Sequence, residues 1–142
     1  MVHDLLTAVT RQLGTTFGTD YHYYIEDNRQ KLITPCFTVD VILPTERSKS
    51  PVLYDRTMPL VVHYFHNNQE TIKKDCYKIA ERTVECLEYL PFKGKLIRGE
   101  NISWEIVDNV LQIYLTYKFS TMRVTEIGDP MELLDVTDTL TN

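Results

Sequence analysis

Apolar side chains at Leu5, Val9, Leu13 and Phe17 recur every four residues with Leu6 beside them. That period predicts an amphipathic helix from about His3 to Phe17, ending near Gly18. Asp20-Tyr21-His22-Tyr23-Tyr24-Ile25 then alternates weakly and is aromatic, which suits a short strand before the solvated turn Glu26 to Lys31. From Cys36 to Leu43 the alternation is clean, with Phe37, Val39, Val41 and Leu43 on one face and Cys36, Thr38, Asp40 and Ile42 on the other. A half-buried strand is expected there. Pro44 and Pro51 bracket a polar stretch, Thr45 to Ser50, without periodicity, and it is expected to be a projecting loop. A second long strand follows from about Tyr54 to Phe65, with Leu60, Val62 and Tyr64 on one face and Val61, His63 and Phe65 on the other.

Asn67-Asn68 offers cap chemistry, and Ile72, Cys76, Ile79, Ala80, Thr83, Leu87 and Leu90 make one stripe of a long helix from Gln69 to Leu90, stopped by Pro91. Gly94 and Gly99 flank a short Leu96-Ile97-Arg98 segment. Beyond it, Ile102 to Val107 and Val110 to Met122 are apolar runs separated only by Asp108-Asn109, a hairpin signal because both residues tolerate the left-handed backbone of a tight turn. After Gly128 the chain is acidic. Asp129-Pro130-Met131 has the form of a helix start, so a short helix and a loose tail are expected. The order α-β-β-β-α-β-β-β predicts an α+β fold, a mainly antiparallel sheet with both helices on one face. Residues 1–142 are expected to form one domain, with 128–142 a short acidic C-terminal extension.

Composition narrows the function. The net charge of −5 and pI near 5.3 lack the electrostatic footprint of a protein that grips phosphates. No run approaches the roughly 18 apolar residues of a membrane span, so no membrane partner is expected. Met1-Val2-His3-Asp4 leads straight into the helix pattern without a basic patch and apolar core, so synthesis and action are expected to begin in a cytoplasm. Cys36, Cys76 and Cys86 give an odd count, which argues against a disulfide framework.

Catalytic candidates each have a plainer explanation. His63 and His66 are spaced so that they would not converge at a strand end, and they are expected to be solvated or sheet-surface residues. Cys76 and Cys86 on one helix would sit ~15 Å apart, too far to pair. Glu70, Asp75, Glu81, Glu85 and Glu88 interleave with Lys73, Lys74, Lys78 and Arg82 and fit a solvated, ion-paired helix face. Trp104 shares a strand face with Ile102 and Ile106 and is expected in the core, with an interface anchor as the alternative. No catalytic, cofactor-binding or metal-binding residue emerges, and no cofactor is expected.

Six segments in the middle of the chain stand out by their order and spacing: Pro35-Cys36-Phe37, Arg56-Thr57-Met58-Pro59 through Val62-His63-Tyr64-Phe65, Cys76-Tyr77 with Ile79-Ala80-Glu81, Leu87-Glu88-Tyr89-Leu90, Leu96-Ile97-Arg98-Gly99, and Ser103-Trp104-Glu105-Ile106-Val107-Asp108-Asn109-Val110-Leu111. In these segments the chain resembles the tail terminator family of tailed phages and prophage-derived contractile particles. The resemblance implies a non-enzymatic virion subunit, assembled in the host cytoplasm as a hexameric ring at the tail/neck junction. Its implied partners are the tail tube protein, the neck or head connector and, in contractile particles, the sheath protein, while DNA passes through the lumen without specific binding. Arg47, Lys49, Arg56, Arg98, Trp104, Met131 and Leu134 are the expected interface residues, with the four cations turned toward protein neighbours and the lumen acidic or neutral. The C-terminal stretch is expected to be ordered only against a partner. The competing readings are a head-tail adaptor, which would bind the portal side, and a small hydrolase or ligand-binding domain using His63, His66 and Glu105.

Overall fold

The alternation at Leu60, Val62 and Tyr64 and at Leu111, Ile113, Leu115 and Tyr117 buries every one of these side chains to 2% exposure or less, so two long strands supply the floor of the core. The computed structural model describes residues 2–25, 31–67, 70–125 and 136–141. In chain order the elements are helix α1 (Val2–Phe17), strands β1 (His22–Ile25), β2 (Cys36–Val41), β3 (Thr45–Ser48) and β4 (Leu53–Phe65), helix α2 (Ile72–Glu88), and strands β5 (Tyr89–Phe92), β6 (Lys95–Val107), β7 (Val110–Thr125) and β8 (Val136–Thr141). The sheet runs β1-β2-β4-β7-β6-β5, with β3 added to β4 and β8 to β7. Among the described residues only the β1/β2 pair is parallel. This is the expected α+β architecture, with both helices on one face.

Helix α1 buries Leu5, Leu6, Val9, Leu13 and Phe17 and ends at Gly18, whose φ of 84° takes the left-handed form that closes a helix, its N–H donating to the Gly14 carbonyl at 2.9 Å. Phe17 then meets Phe37 at 4.8 Å between ring centroids, and Phe37 meets Tyr64 at 4.9 Å. Helix α1 is thereby fixed to β2 and β4. Its neighbour α2 lies over β5, β6 and β7. The buried Tyr117 hydroxyl donates to the Leu87 carbonyl, one of the last carbonyls of α2, which no later turn of the helix can satisfy. Gly99 makes this approach possible, since a Cβ there would lie 3.1 Å from the Leu87 oxygen and 3.2 Å from Leu115.

Both helices cover only part of the sheet. Past Met58 and Tyr117, β4 and β7 run on without them and are flanked by β3 and β8, forming a four-stranded antiparallel arm in the order β3-β4-β7-β8. Two bulges mark where the arm begins. Between Val41↔Leu60 and Thr45↔Thr57 the edge strand gains one residue, and Leu43 in that gap has φ 45°. Between Glu100↔Thr116 and Ser103↔Tyr114 β6 gains another, with Asn101 at φ 54°. Because Leu60 pairs with Leu115, both bulges fall at nearly the same level of the sheet, where they add bend and twist.

The structure corrects five expectations. Residues 45–48 form a strand continuing the line of β2 along β4, so only the tip from Lys49 to Val52 is a turn; pairing supplied the order that periodicity lacked. Leu43 leaves the β2 face and is 83% exposed, because the bulge turns the backbone there. Helix α2 starts at Ile72 after Thr71, with no side-chain cap bond, whereas Asn68 and Gln69 lie outside the described residues. It stops at Glu88, since the residue before Pro91 is pushed toward extended backbone; Leu90 is buried from β5 instead of the helix stripe, and Lys93-Gly94, both at positive φ, turn β5 into β6. The expected loose tail contains β8, paired from Ser120↔Thr141 to Thr125↔Val136, so this part is ordered on its own chain; the helix start at Asp129-Pro130-Met131 lies outside the described residues. Asp108-Asn109, at φ 51° and 63°, forms the expected tight turn.

Tyr117→Phe should destabilise the chain by about 1–3 kcal/mol by leaving the Leu87 carbonyl buried without its donor. Urea unfolding measures this, and an unchanged midpoint would mean the bond contributes nothing.

Candidate assembly surface

Leaving the helices behind, the arm has no apolar cover for its inner face, and its sequence changes accordingly. Outward along β4 Arg56 follows Met58, and on β7 Thr121 follows Phe119, which packs on Phe92 at the margin of the core; Arg56 and Thr121 are buried at 7% and 0% exposure. The Arg56 guanidinium donates from Nε to Thr121 Oγ1 at 2.8 Å and pairs through Nη2 with Glu46 Oε1 at 2.9 Å. Arg123 reaches the same Glu46 oxygen at 3.2 Å and lies over the Tyr54 ring, 4.4 Å from its centroid. The opposite face repeats the device. Asp55 accepts from Ser120 Oγ at 2.6 Å and pairs with Lys49 Nζ at 3.2 Å. The Ser120 hydrogen bond, assisted by Lys49, holds the Asp55 carboxyl below the usual carboxylate range. One carboxylate on each face thus ties the strands together.

These contacts define where the expected interface residues stand. Arg47 is exposed on β3, on the Asp55 face. Lys49 is at the hairpin tip, paired to Asp55. Arg56 is buried in its own chain, so it acts on any interface only by shaping the arm. Arg98 is elsewhere, exposed on the β5–β6 hairpin, 3.6 Å from Glu88 and over the Tyr89 ring. Exposed Leu96 is on the same outward side of that hairpin. Trp104 is 38% exposed at the margin of the core, on the inner face beside Ile113, and packs on the exposed Tyr77 ring of α2 at 5.6 Å. The core expectation therefore fails in part, because α2 ends its cover there. Met131 and Leu134 lie outside the described residues. The arm brings Arg47 and Lys49 together on one face and holds Arg56 on the other; Arg98 and Trp104 belong to other surfaces. Sequence reading missed Glu46, Thr121, Arg123 and Asp55. The charge alternation of Thr45-Glu46-Arg47 was the available signal, but only strand register reveals its partners.

His66 is also corrected. It is not solvated: its Nδ1 lies 2.7 Å from the Tyr64 hydroxyl and its Nε2 3.1 Å from Asp75 Oδ2, an oxygen that also accepts from Thr71 Oγ1 at 2.6 Å. This chain fastens the end of β4 to the first turn of α2. Asp75 is therefore turned toward β4, not into an ion-paired outer face. The Thr71 hydrogen bond, with help from His66, holds the Asp75 carboxyl low. His63 stands apart on the other face, 3.4 Å from the buried Thr38 hydroxyl. Cys36, Cys76 and Cys86 are thiols outside any disulfide, and burial pushes the Cys76 and Cys86 thiols up. Among the described residues no group of three or more His, Cys, Asp or Glu could hold a metal, and no helix is long and apolar enough to cross a membrane.

The class this fold defines is an α+β protein, a mainly antiparallel sheet with two helices on one face. A family model described as phage tail terminator protein matches residues 4–129, and the chain belongs to that family. No curated protein matches it. One solved structure bearing no functional description is similar over 87% of this chain and 96% of its own, at 9% identity and a TM-score of 0.37, a likeness too loose to carry an argument.

Replacing Arg56 by Met should cost roughly 1–3 kcal/mol, since Thr121 and Glu46 lose a buried donor, while Arg47→Ala should stay within about 0.5 kcal/mol. Denaturant midpoints of the two variants test the contrast, and equal losses would refute it. For Asp75 the lowered folded value means that its contribution is fully present above the ordinary carboxylate range near about pH 4 and is lost as pH falls through the depressed value. Asp75→Asn should therefore lower stability at neutral pH and flatten the acid limb of the stability curve. Parallel acid limbs for wild type and variant would place the titrating contact elsewhere.

Proposed function

We propose that this chain is a non-enzymatic tail terminator in the full sense: copies close into a ring, hexameric as the family resemblance implies, on the last ring of the tail tube, stop its growth and present the other face to the neck or head connector. The observation that carries the reading is the family match, which runs from α1 through β7 and leaves out β8. All the described strands belong to one sheet, which supports reading residues 1–142 as a single domain. The ring is assembled in the host cytoplasm and sits at the tail/neck junction of the virion, against the sheath protein where the tail is contractile. DNA passes through without specific binding, and no cofactor takes part. The interface falls to Arg47 and Lys49 on the arm, Arg98 and Trp104 outside it, and Met131 and Leu134 toward the C-terminus, with Arg56 as an internal brace.

The test is tube growth. Purified chain added to polymerising tube protein should give tubes of limited length with added density at one end in electron micrographs. Replacing Ser48-Lys49-Ser50 by a two-residue turn removes the arm's tip and should lower the melting temperature by less than about 4 °C while abolishing length control. Tubes equally long with and without the wild-type chain would refute the terminator reading. Normal control by the variant would remove the arm from it.

A further inference from the structure

The arm has two outer edges, and their directions are complementary. Each strand in the order β3-β4-β7-β8 is antiparallel to its neighbour, so β3 and β8 run in opposite directions. Among the described residues neither has a second strand beside it. An edge of each kind on every copy permits an antiparallel ladder between β8 of one copy and β3 of the next. Such a contact joins unlike surfaces head to tail, the type that closes into rings.

The hydrogen-bond pattern identifies the groups available. Lys49 N–H donates to the Leu53 carbonyl at 2.8 Å, which makes Lys49 and Leu53 a bonded pair. Bonded and non-bonded pairs alternate along an antiparallel ladder, so Arg47 and Thr45 also turn their backbone groups to β4, while Glu46 and Ser48 turn theirs outward. On the other side, Arg123 N–H donates to the Val52 carbonyl at 2.7 Å, toward the β4 hairpin. By the same alternation β7 offers Ser120, Met122 and Val124 to β8, which leaves Val136, Asp138 and Leu140 with backbone groups outward. Glu46 and Ser48, and Val136, Asp138 and Leu140, all fall on the inner face by register. Joined edges would therefore continue the sheet without inverting it.

We propose, resting on the ring reading above, that neighbouring copies are joined by β8 of one pairing antiparallel with β3 of the next, with Glu46 opposite Leu140 and Ser48 opposite Asp138. The shift that sets Glu46 against Asp138 opposes two acids, and like charges directly across a ladder are destabilising. The two edges differ in character. The β3 edge carries Glu46 and Arg47, charges that discourage indiscriminate pairing, whereas Val136-Thr137-Asp138-Thr139-Leu140-Thr141 is rich in strand-forming residues with a single charge. A second β3 is thus a poor partner for β3, and β8 a good one.

The chosen register sets Arg47 opposite Thr139 as a non-bonded pair, whose Cβ atoms lie about 4.5–5.5 Å apart, close enough for a disulfide after small adjustment. Full-length Arg47→Cys and Thr139→Cys chains, mixed and oxidised, should give a covalent heterodimer; the double variant should give a ladder ending at the ring's copy number. Ser48→Pro removes an outward N–H and spares the β3/β4 ladder, a place an edge strand accepts proline. Its melting temperature should match that of Ser48→Ala, while its ring formation, followed by native mass spectrometry, should need at least tenfold more protein. Rings formed as readily by Ser48→Pro as by Ser48→Ala would overturn edge pairing and leave the ring reading standing. Impaired Ser48→Pro rings without a disulfide between the two introduced cysteines would overturn β8 as the partner. A wild-type chain that stays monomeric at all concentrations would overturn both readings.

Discussion

A sheet longer than its cover is the constraint on which the rest depends. β4 and β7 must be apolar on the inner face where α1 and α2 lie, or there is no core. The same strands continue beyond the helices, where an apolar inner face would be an exposed greasy ribbon. The chain resolves this within a few residues: on β4 Arg56 follows Met58 at once, while on β7 Phe119, opposite Arg56 and packed on Phe92, separates Tyr117 from the buried Thr121. Burying a guanidinium costs several kcal/mol unless its charge and donors are met, so Arg56 commits Glu46 and Thr121, and with Glu46 comes Arg123. The pairing of β3 follows from that commitment, since Glu46 reaches Arg56 only when Thr45–Ser48 lies along β4 in this register.

This explains which features could be read from the sequence. Helix α1, the β4 and β7 faces and the Asp108-Asn109 turn carry local signals, either a period of apolar residues or a residue type suited to positive φ. The α+β class followed from their order. β3 had no such signal, because its faces are both solvated or ionic and its order comes from its ladder to β4 and from the contacts of Glu46 with Arg56 and the distant Arg123. β8, a threonine-rich run with one acid, carried no clear apolar period in the sequence. The helix boundary at Glu88 was missed by reading the apolar stripe through Leu90, which the core accepts equally from a strand. His66 was misjudged because its position past the strand end suggested solvent, while Tyr64 and Asp75 close around it in three dimensions.

The surfaces sort by what they could offer a protein neighbour. The β5–β6 hairpin presents Tyr89, Leu96 and Arg98, and the end of α2 presents Tyr77 beside Trp104. Tyr, Trp and Arg are the side chains in which binding energy concentrates at protein interfaces, since each combines a large contact area with a polar group. The arm differs from both. Its faces are internally paired, so its resources for a neighbour are the backbone groups at its edges and the few cations at its tip.

That distinction bears on how a ring subunit can remain separate until it is needed. An apolar interface associates whenever concentration allows, because burial favours association without regard to orientation. A strand edge contributes only when both ladders are in register, and until then its backbone groups are satisfied by water at little cost. Charges such as Glu46 and Arg47 beside the edge raise the cost of wrong registers. On the proposed assembly, then, the arm contributes selectivity and the aromatic hairpin and Trp104 surfaces contribute affinity. The arm's cations, largely engaged by Glu46 and Asp55, leave an acidic chain with little to hold a passing phosphate backbone, so the pairing that stabilises the arm would also keep the lumen from retaining DNA.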